Sequence, residues 1–228
     1  MATSTYTAPR FDSAALITID VQADVLDGQP LEISGSSAAL PAMRRLVEAF
    51  RERGAPVVHV VRLYRPDGSN VDLCRREAVA NGWKALAPGS AGAELAAGLL
   101  GERHAELVAE LLLRGELQRI GEHEVVIYKP RWGAFYETPL HAHLVRLGVS
   151  TVAFCGVNFP NCPRTSIYEA SERDFRVVLA TDAISGLYDR GRQELANIGV
   201  SLMTAGELID RLPRAPAGAV AGGAPLSS

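Results

Sequence analysis

Short runs of apolar, often β-branched residues recur along the chain, and most of them stop abruptly at a polar or charged residue. Ala15-Leu16-Ile17-Thr18-Ile19 precedes Asp20, Pro56 to Val61 precedes Arg62, and Glu124 to Tyr128 precedes Lys129. Thr151 to Cys155 leads into Gly156, Arg176 to Ala180 into Thr181-Asp182, and a last short run covers Val200 to Met203. Strands that are apolar at nearly every position belong to a parallel sheet covered on both faces. Between them lie stretches with helical periodicity: Leu40 to Arg53 stops at Gly54, Pro139 to Leu147 at Gly148, and Asp189 to Ile198 at Gly199. Glycine just past the last periodic residue is a common helix terminator. The alternation predicts an α/β fold, a doubly wound sandwich.

The stretch 66–121 is less regular. Pro66-Asp67-Gly68-Ser69-Asn70 and Ala87-Pro88-Gly89-Ser90 carry turn chemistry. Helical patterns over Glu94–Leu100 and His104–Leu113 suggest a lid or an oligomer contact. One domain is expected over 1–212, followed by a flexible Pro/Ala/Gly-rich tail over 213–228.

Composition narrows the partners. The 228 residues carry a net charge of −3 with no basic block, and 47% are hydrophobic. Nucleic acid and anionic membranes are therefore not expected partners; a small-molecule substrate is. The first residues lack a charged-then-apolar leader, and three cysteines at unrelated spacings make neither a disulfide framework nor a zinc site. A cytoplasmic protein is the simplest expectation.

The candidate chemistry sits in Gly156-Val157-Asn158-Phe159-Pro160-Asn161-Cys162-Pro163-Arg164, between a strand and a helix expected from Ser166 to Asp174. A thiol near unpaired helix N–H groups is biased toward thiolate. Pro163 suits the first helical position and holds Cys162 near the cap. Ligands of open α/β sheets bind outside the carboxyl ends of the strands, where Asp20, Lys129 and Cys162 can all converge. Asp20 can take the thiol proton and return it to a leaving group, Lys129 can lower the thiol pKa, and Cys162 can attack a carbonyl to form a thioester. Pro160 and Pro163 have no N–H, so the loop's oxyanion donors reduce to Asn158, Phe159, Asn161 and Cys162; Asn158 and Cys162 are favoured. Taken singly, an Asp after a strand is often a turn former and a cysteine near a cap is usually inert. Their joint placement is what carries the reading.

Three segments then resemble one known family. Leu16 to Asp24, with Asp20 and Gln22, is similar to the opening motif of the isochorismatase-like cysteine hydrolases. Tyr128-Lys129-Pro130-Arg131-Trp132-Gly133-Ala134-Phe135 resembles their lysine segment, and Gly156 to Cys162 their nucleophile loop. The resemblance runs from about Ala14 to Leu208. It implies a three-layer α/β/α sandwich on a mostly parallel, doubly wound sheet, with a Cys162–Asp20–Lys129 triad. It also implies a non-proline cis peptide at Val157–Asn158, and a homodimer or homotetramer. The implied activity is hydrolysis of a C–N bond in a small amide or ureido substrate through an acyl-enzyme. Nicotinamidases hold a metal with an Asp-x-His group after the second strand; here Arg62-Leu63-Tyr64-Arg65-Pro66 stands in that region, so no metal and no other cofactor is expected.

Gln22, Trp132, Phe135, Phe159 and Arg164 are the candidate substrate-binding residues, and Arg62, Arg131 and Arg164 would suit a substrate anion. None of the five histidines has a partner at zinc spacing, and no Gly-rich phosphate loop follows a strand. The alternatives are an Asp-dependent (vinyl) ether hydrolase, with the thiol a bystander, and a non-catalytic binding protein on the same fold.

Overall fold

A computed structural model describes residues 5–213 of the chain. Seven strands form one sheet in the order β3-β4-β2-β1-β5-β6-β7. They are β1 (Ala14–Ile19), β2 (Val57–Val61), β3 (Gln118–Arg119), β4 (Glu124–Tyr128), β5 (Thr151–Gly156), β6 (Arg176–Ile184) and β7 (Ser201–Met203). Every pairing is parallel except that of β3 with β4. The helices are α1 (Ser36–Glu52), α2 (Arg76–Ala80), α3 (Ala109–Leu113), α4 (Leu140–Arg146), α5 (Cys162–Ser171), α6 (Asp189–Asn197) and α7 (Ala205–Arg211).

Strand alternation divides the core into two layers. Ala14 and Leu16 of β1 and Ala153 and Cys155 of β5 face one side, where Met43, Leu46 and Phe50 of α1 and Leu208 of α7 cover them. Ala15, Ile17 and Ile19, with Val152 and Phe154, face the other side, against Leu140 and Leu144 of α4, Ile167 of α5 and Leu195 of α6. Residues two apart on a strand share a face, so an almost uninterrupted apolar strand supplies both layers at once. The three-layer α/β/α sandwich follows. Among the described residues no helix is long and apolar enough to cross a membrane.

Several boundaries move from their sequence-based positions. The helix expected over Ser166–Asp174 begins at Cys162 and ends at Ser171, with Pro163 in its first turn. The one expected from Leu40 begins at Ser36 and carries Pro41 inside it, at the sixth helical position, where the missing N–H leaves the Ser37 carbonyl without its intrahelical donor. Glu94–Leu100 is not helical, and only Ala109–Leu113 of the second pattern is. There the backbone is spent on tertiary contacts: Ala23 N–H donates to Glu94 O and Ala96 N–H to Val21 O, tying this stretch to the residues after β1. The expected tail lies, from residue 214 on, outside the described residues.

The ends of β1 and β5 meet at Gly156. A Cβ there would lie 2.2 Å from the Ile19 carbonyl oxygen, and its φ of +128° is one that L residues rarely adopt. Only glycine allows this approach. It sets the nucleophile loop beside Asp20.

Candidate active site

Asp20, Lys129 and Cys162 follow β1, β4 and β5 at one rim of the sheet. Asp20 takes a left-handed backbone (φ 52°), which an aspartate tolerates better than bulkier residues. Its N–H donates to Val60 O at 2.9 Å, so the turn stays anchored to β2. Lys129 is completely buried. Its Nζ lies 2.9 Å from Asp20 Oδ2, 3.2 Å from Cys162 Sγ and 3.3 Å from Arg131 O. Three donors meet three acceptors, so the ammonium's position is fully determined.

The lysine segment is also fastened to α5. Ser166 Oγ accepts from the Ala134 N–H at 3.0 Å and donates to the Cys162 carbonyl at 2.7 Å. Glu169 Oε2 accepts from the Phe135 N–H at 2.9 Å. A shift of either segment would break both contacts.

The Val157–Asn158 peptide is cis. Of the four N–H groups left by the two prolines, Phe159 donates to Ser185 O and Asn161 to Asn158 O. Asn158 and Cys162 remain, both lining the same recess as Asp20.

Burial pushes the Cys162 thiol up to about 11, and the Asp20 charge adds to that rise; Lys129 and Arg62 pull it down without reversing it. The expected bias toward thiolate at the helix N-terminus is therefore corrected. Desolvation and the Asp20 charge outweigh the ammonium and the guanidinium, which favours the protonated sulfur at neutral pH.

The recess holds about 330 Å³ of unoccupied space, open solvent at its mouth included. Trp132, a candidate for substrate contact, and Asn158, a candidate oxyanion donor, line it. Four other candidates for substrate contact do not. Gln22 is buried and bonded to backbone at Arg62 and Ala93. Phe135 packs against Phe175, and Phe159 stacks edge-on with Tyr188 at 5.3 Å between centroids. Arg164 points outward and pairs with Glu194 at 2.6 Å.

Residues that sequence reasoning missed also line the recess: the polar Tyr64 and Arg75, and the apolar Val25, Leu31, Ile33 and Leu86. Arg62 is the one of the three suggested anion partners that lines the recess. Asp72, buried behind it, takes Arg62 Nη1 at 3.1 Å, Arg75 Nη1 at 3.4 Å and the Tyr64 hydroxyl at 3.1 Å. The signal available beforehand was the density of Arg, Tyr and Asp over residues 62–76, but turn-rich sequence does not say where its side chains return. Among the described residues, no group of three or more His, Cys, Asp and Glu side chains is placed to hold a metal ion.

The family model for the isochorismatase domain matches residues 14–207. A relative from Arabidopsis thaliana, described as a probable inactive nicotinamidase, is 31% identical over 90% of this chain and 99% of its own length. A ureidoacrylate amidohydrolase of Methylobacterium radiotolerans is 28% identical over 90% of this chain and 82% of its own. An isochorismatase family protein from Desulfovibrio vulgaris matches with a TM-score of 0.73 at 30% identity, over 87% of this chain and 97% of its own. N-carbamoylsarcosine amidase from Thermoplasma acidophilum, at 22% identity and a TM-score of 0.66 over 84% of this chain and 96% of its own, shares the fold. With its motif order and sheet order, the chain thus belongs to the isochorismatase family of hydrolases.

Proposed function

We propose that this protein is a cysteine amidohydrolase that cleaves a C–N bond of a small amide or ureido substrate through a thioester at Cys162, with no metal in the reaction. The observation carrying this is Lys129 Nζ bridging Asp20 Oδ2 at 2.9 Å and Cys162 Sγ at 3.2 Å. Asp20 Oδ1, buried and without a hydrogen-bond partner, is the base. It takes the S–H proton as Sγ attacks the substrate carbonyl, and Lys129 stabilises the sulfur's developing charge. The N–H groups of Asn158 and Cys162 hold the oxyanion. As the tetrahedral adduct collapses, the C–N bond breaks and Asp20 returns its proton to the departing nitrogen. Water then attacks the thioester, giving its proton to Asp20. Collapse releases the acid, and the thiolate is reprotonated.

A resting thiol pushed up to about 11 suits this sequence, because proton removal is coupled to attack rather than completed beforehand. The test is ammonia release from a panel of small amides and ureido compounds, with acid-quenched intact mass to trap the acyl adduct. Cys162→Ser is expected to abolish turnover and adduct together. Undiminished ammonia release by that variant would refute the thioester route, and turnover of a vinyl ether by wild type and variant alike, with no amide cleaved, would point instead to Asp-dependent ether hydrolysis.

The description of the Arabidopsis relative favours a second reading, a non-catalytic binding protein. The complete and mutually bonded set of Asp20, Lys129 and Cys162 in this chain counts against it. Tight binding without turnover across the panel would favour it.

A further inference from the structure

Two polar atoms at the recess are unspent. Asp20 Oδ1 and Arg62 Nη2 are both buried without a hydrogen-bond partner. The carboxylate oxygen has a use in the reaction above. The guanidinium nitrogen does not. Arg62 is 2% exposed, and its other terminal nitrogen, Nη1, is already committed to Asp72 and to the Pro130 carbonyl at 2.8 Å. A buried N–H donor left open is costly, so its retention calls for an acceptor that arrives with a ligand.

The charge balance points the same way. Three cations meet here (Lys129, Arg62 and Arg75) against two carboxylates, Asp20 and Asp72. Among these five side chains the cations outnumber the carboxylates by one. The aromatic rings add no countercharge but fix the two guanidinium groups. Arg75 Cζ lies 4.9 Å from the Trp132 ring centre and Arg62 Cζ 5.6 Å from that of Tyr64. A planar, rigidly held guanidinium is matched to a planar carboxylate.

We infer that the substrate carries a carboxylate that seats on Arg62, with Arg75 as its second cation and Asp72 holding both arginines in place, while its amide or ureido carbonyl meets Cys162. The inference rests on the reading of Cys162 as nucleophile. Leu31, Ile33 and Leu86 then face the carbon chain between the two ends of the substrate.

Alkylation of Cys162 tests the seat without any hydrolysis. The rate ratio of iodoacetate to iodoacetamide at Cys162, read by peptide mass spectrometry, is compared with the same ratio for glutathione; the β-bromo homologues of both reagents extend the reach. The ratio at Cys162 is expected to exceed that of glutathione by about tenfold or more in at least one pair, as a charge-assisted contact would give. Arg62→Gln is expected to abolish the excess. If that variant fails to fold, Arg75→Gln, at a partly exposed side chain, is expected to reduce it severalfold. A ratio equal to that of glutathione, or an excess that survives both substitutions, overturns the assignment. An excess that the substitutions remove, with no amide hydrolysed, would leave the seat standing and sink the amidohydrolase reading alone. With turnover, half-amides of short dicarboxylic acids should be cleaved in preference to their neutral diamides.

Discussion

Gln22 and Arg62 are locked together backbone to side chain at the ends of two neighbouring strands. Gln22 Oε1 accepts from the Arg62 N–H at 2.8 Å, and Gln22 Nε2 donates to the Arg62 carbonyl at 2.9 Å. Nε2 also donates to Ala93 O at 2.6 Å. Gln22, a candidate for substrate contact, instead holds an arginine that lines the recess.

Replacing Gln22 by Ala is therefore expected to act on stability first. It leaves one N–H and two carbonyls buried without partners, at a cost of about 3 kcal/mol, since each orphaned group is worth ~1–3 kcal/mol. Urea unfolding midpoints measure it. A loss under about 0.5 kcal/mol, the scale of a neutral surface change, would show the three bonds to be dispensable.

Asp20→Asn should move two readouts in opposite directions. Turnover falls by ~10²–10⁴-fold, as loss of a general acid–base group does. Alkylation of Cys162 by iodoacetamide near neutral pH rises, because the charge that helps keep the thiol protonated is gone while Lys129 stays. If the two fall together, Asp20 is organising the site rather than shuttling protons.

The thiol leaves a signature in stability against pH. Cys162 ordinarily titrates near 9.0 and is pushed up to about 11 in the fold, so the folded chain holds the proton more tightly. That contribution is complete below pH 9 and is lost as pH rises toward 11. At about 1.36 kcal/mol per pKa unit, wild type should lose about 2–3 kcal/mol more than Cys162→Ser across this window. Denaturant melts in steps of pH settle it; parallel curves for the two proteins would refute the shift.

Glu124 governs the acid limb. Burial favours its protonation, but hydrogen bonds from His59 and Arg51 overcome that and hold its carboxyl well below the ordinary 4.5. Arg103 adds a third partner at 2.6 Å. The contribution is present above pH 4.5 and lost as pH falls. Glu124→Gln should cost about 3–5 kcal/mol at neutral pH, the scale for breaking a buried pair, and flatten the decline below pH 4.5. An unchanged acid limb would remove Glu124 from that role.

What the sequence made legible follows from what periodicity and position encode. Strands such as Glu124–Tyr128 declare themselves because every residue is apolar or buried in its pairings, and a residue just past such a strand has only one rim to occupy. Asp20, Lys129 and Cys162 were readable for that reason. The recess wall was not, because Tyr64 and Arg75 reach it from a turn-rich segment whose path depends on long-range bonds. Phe159 misled through adjacency: it lies in the nucleophile loop, yet its ring turns under the sheet into space left by Gly191, where a Cβ would come within 2.4 Å of it. The helix capping box at Thr204 and Glu207, which starts α7, was a local signal that could have been found.

The spacing between acid and sulfur is dictated by Gly156, a residue that carries no reactive group. Any methyl at that point would wedge the two backbones apart and swing Asp20 away from the nucleophile loop. Chemistry at this rim is thus hostage to a hydrogen atom, and no adjustment of the three reactive side chains could compensate for its replacement.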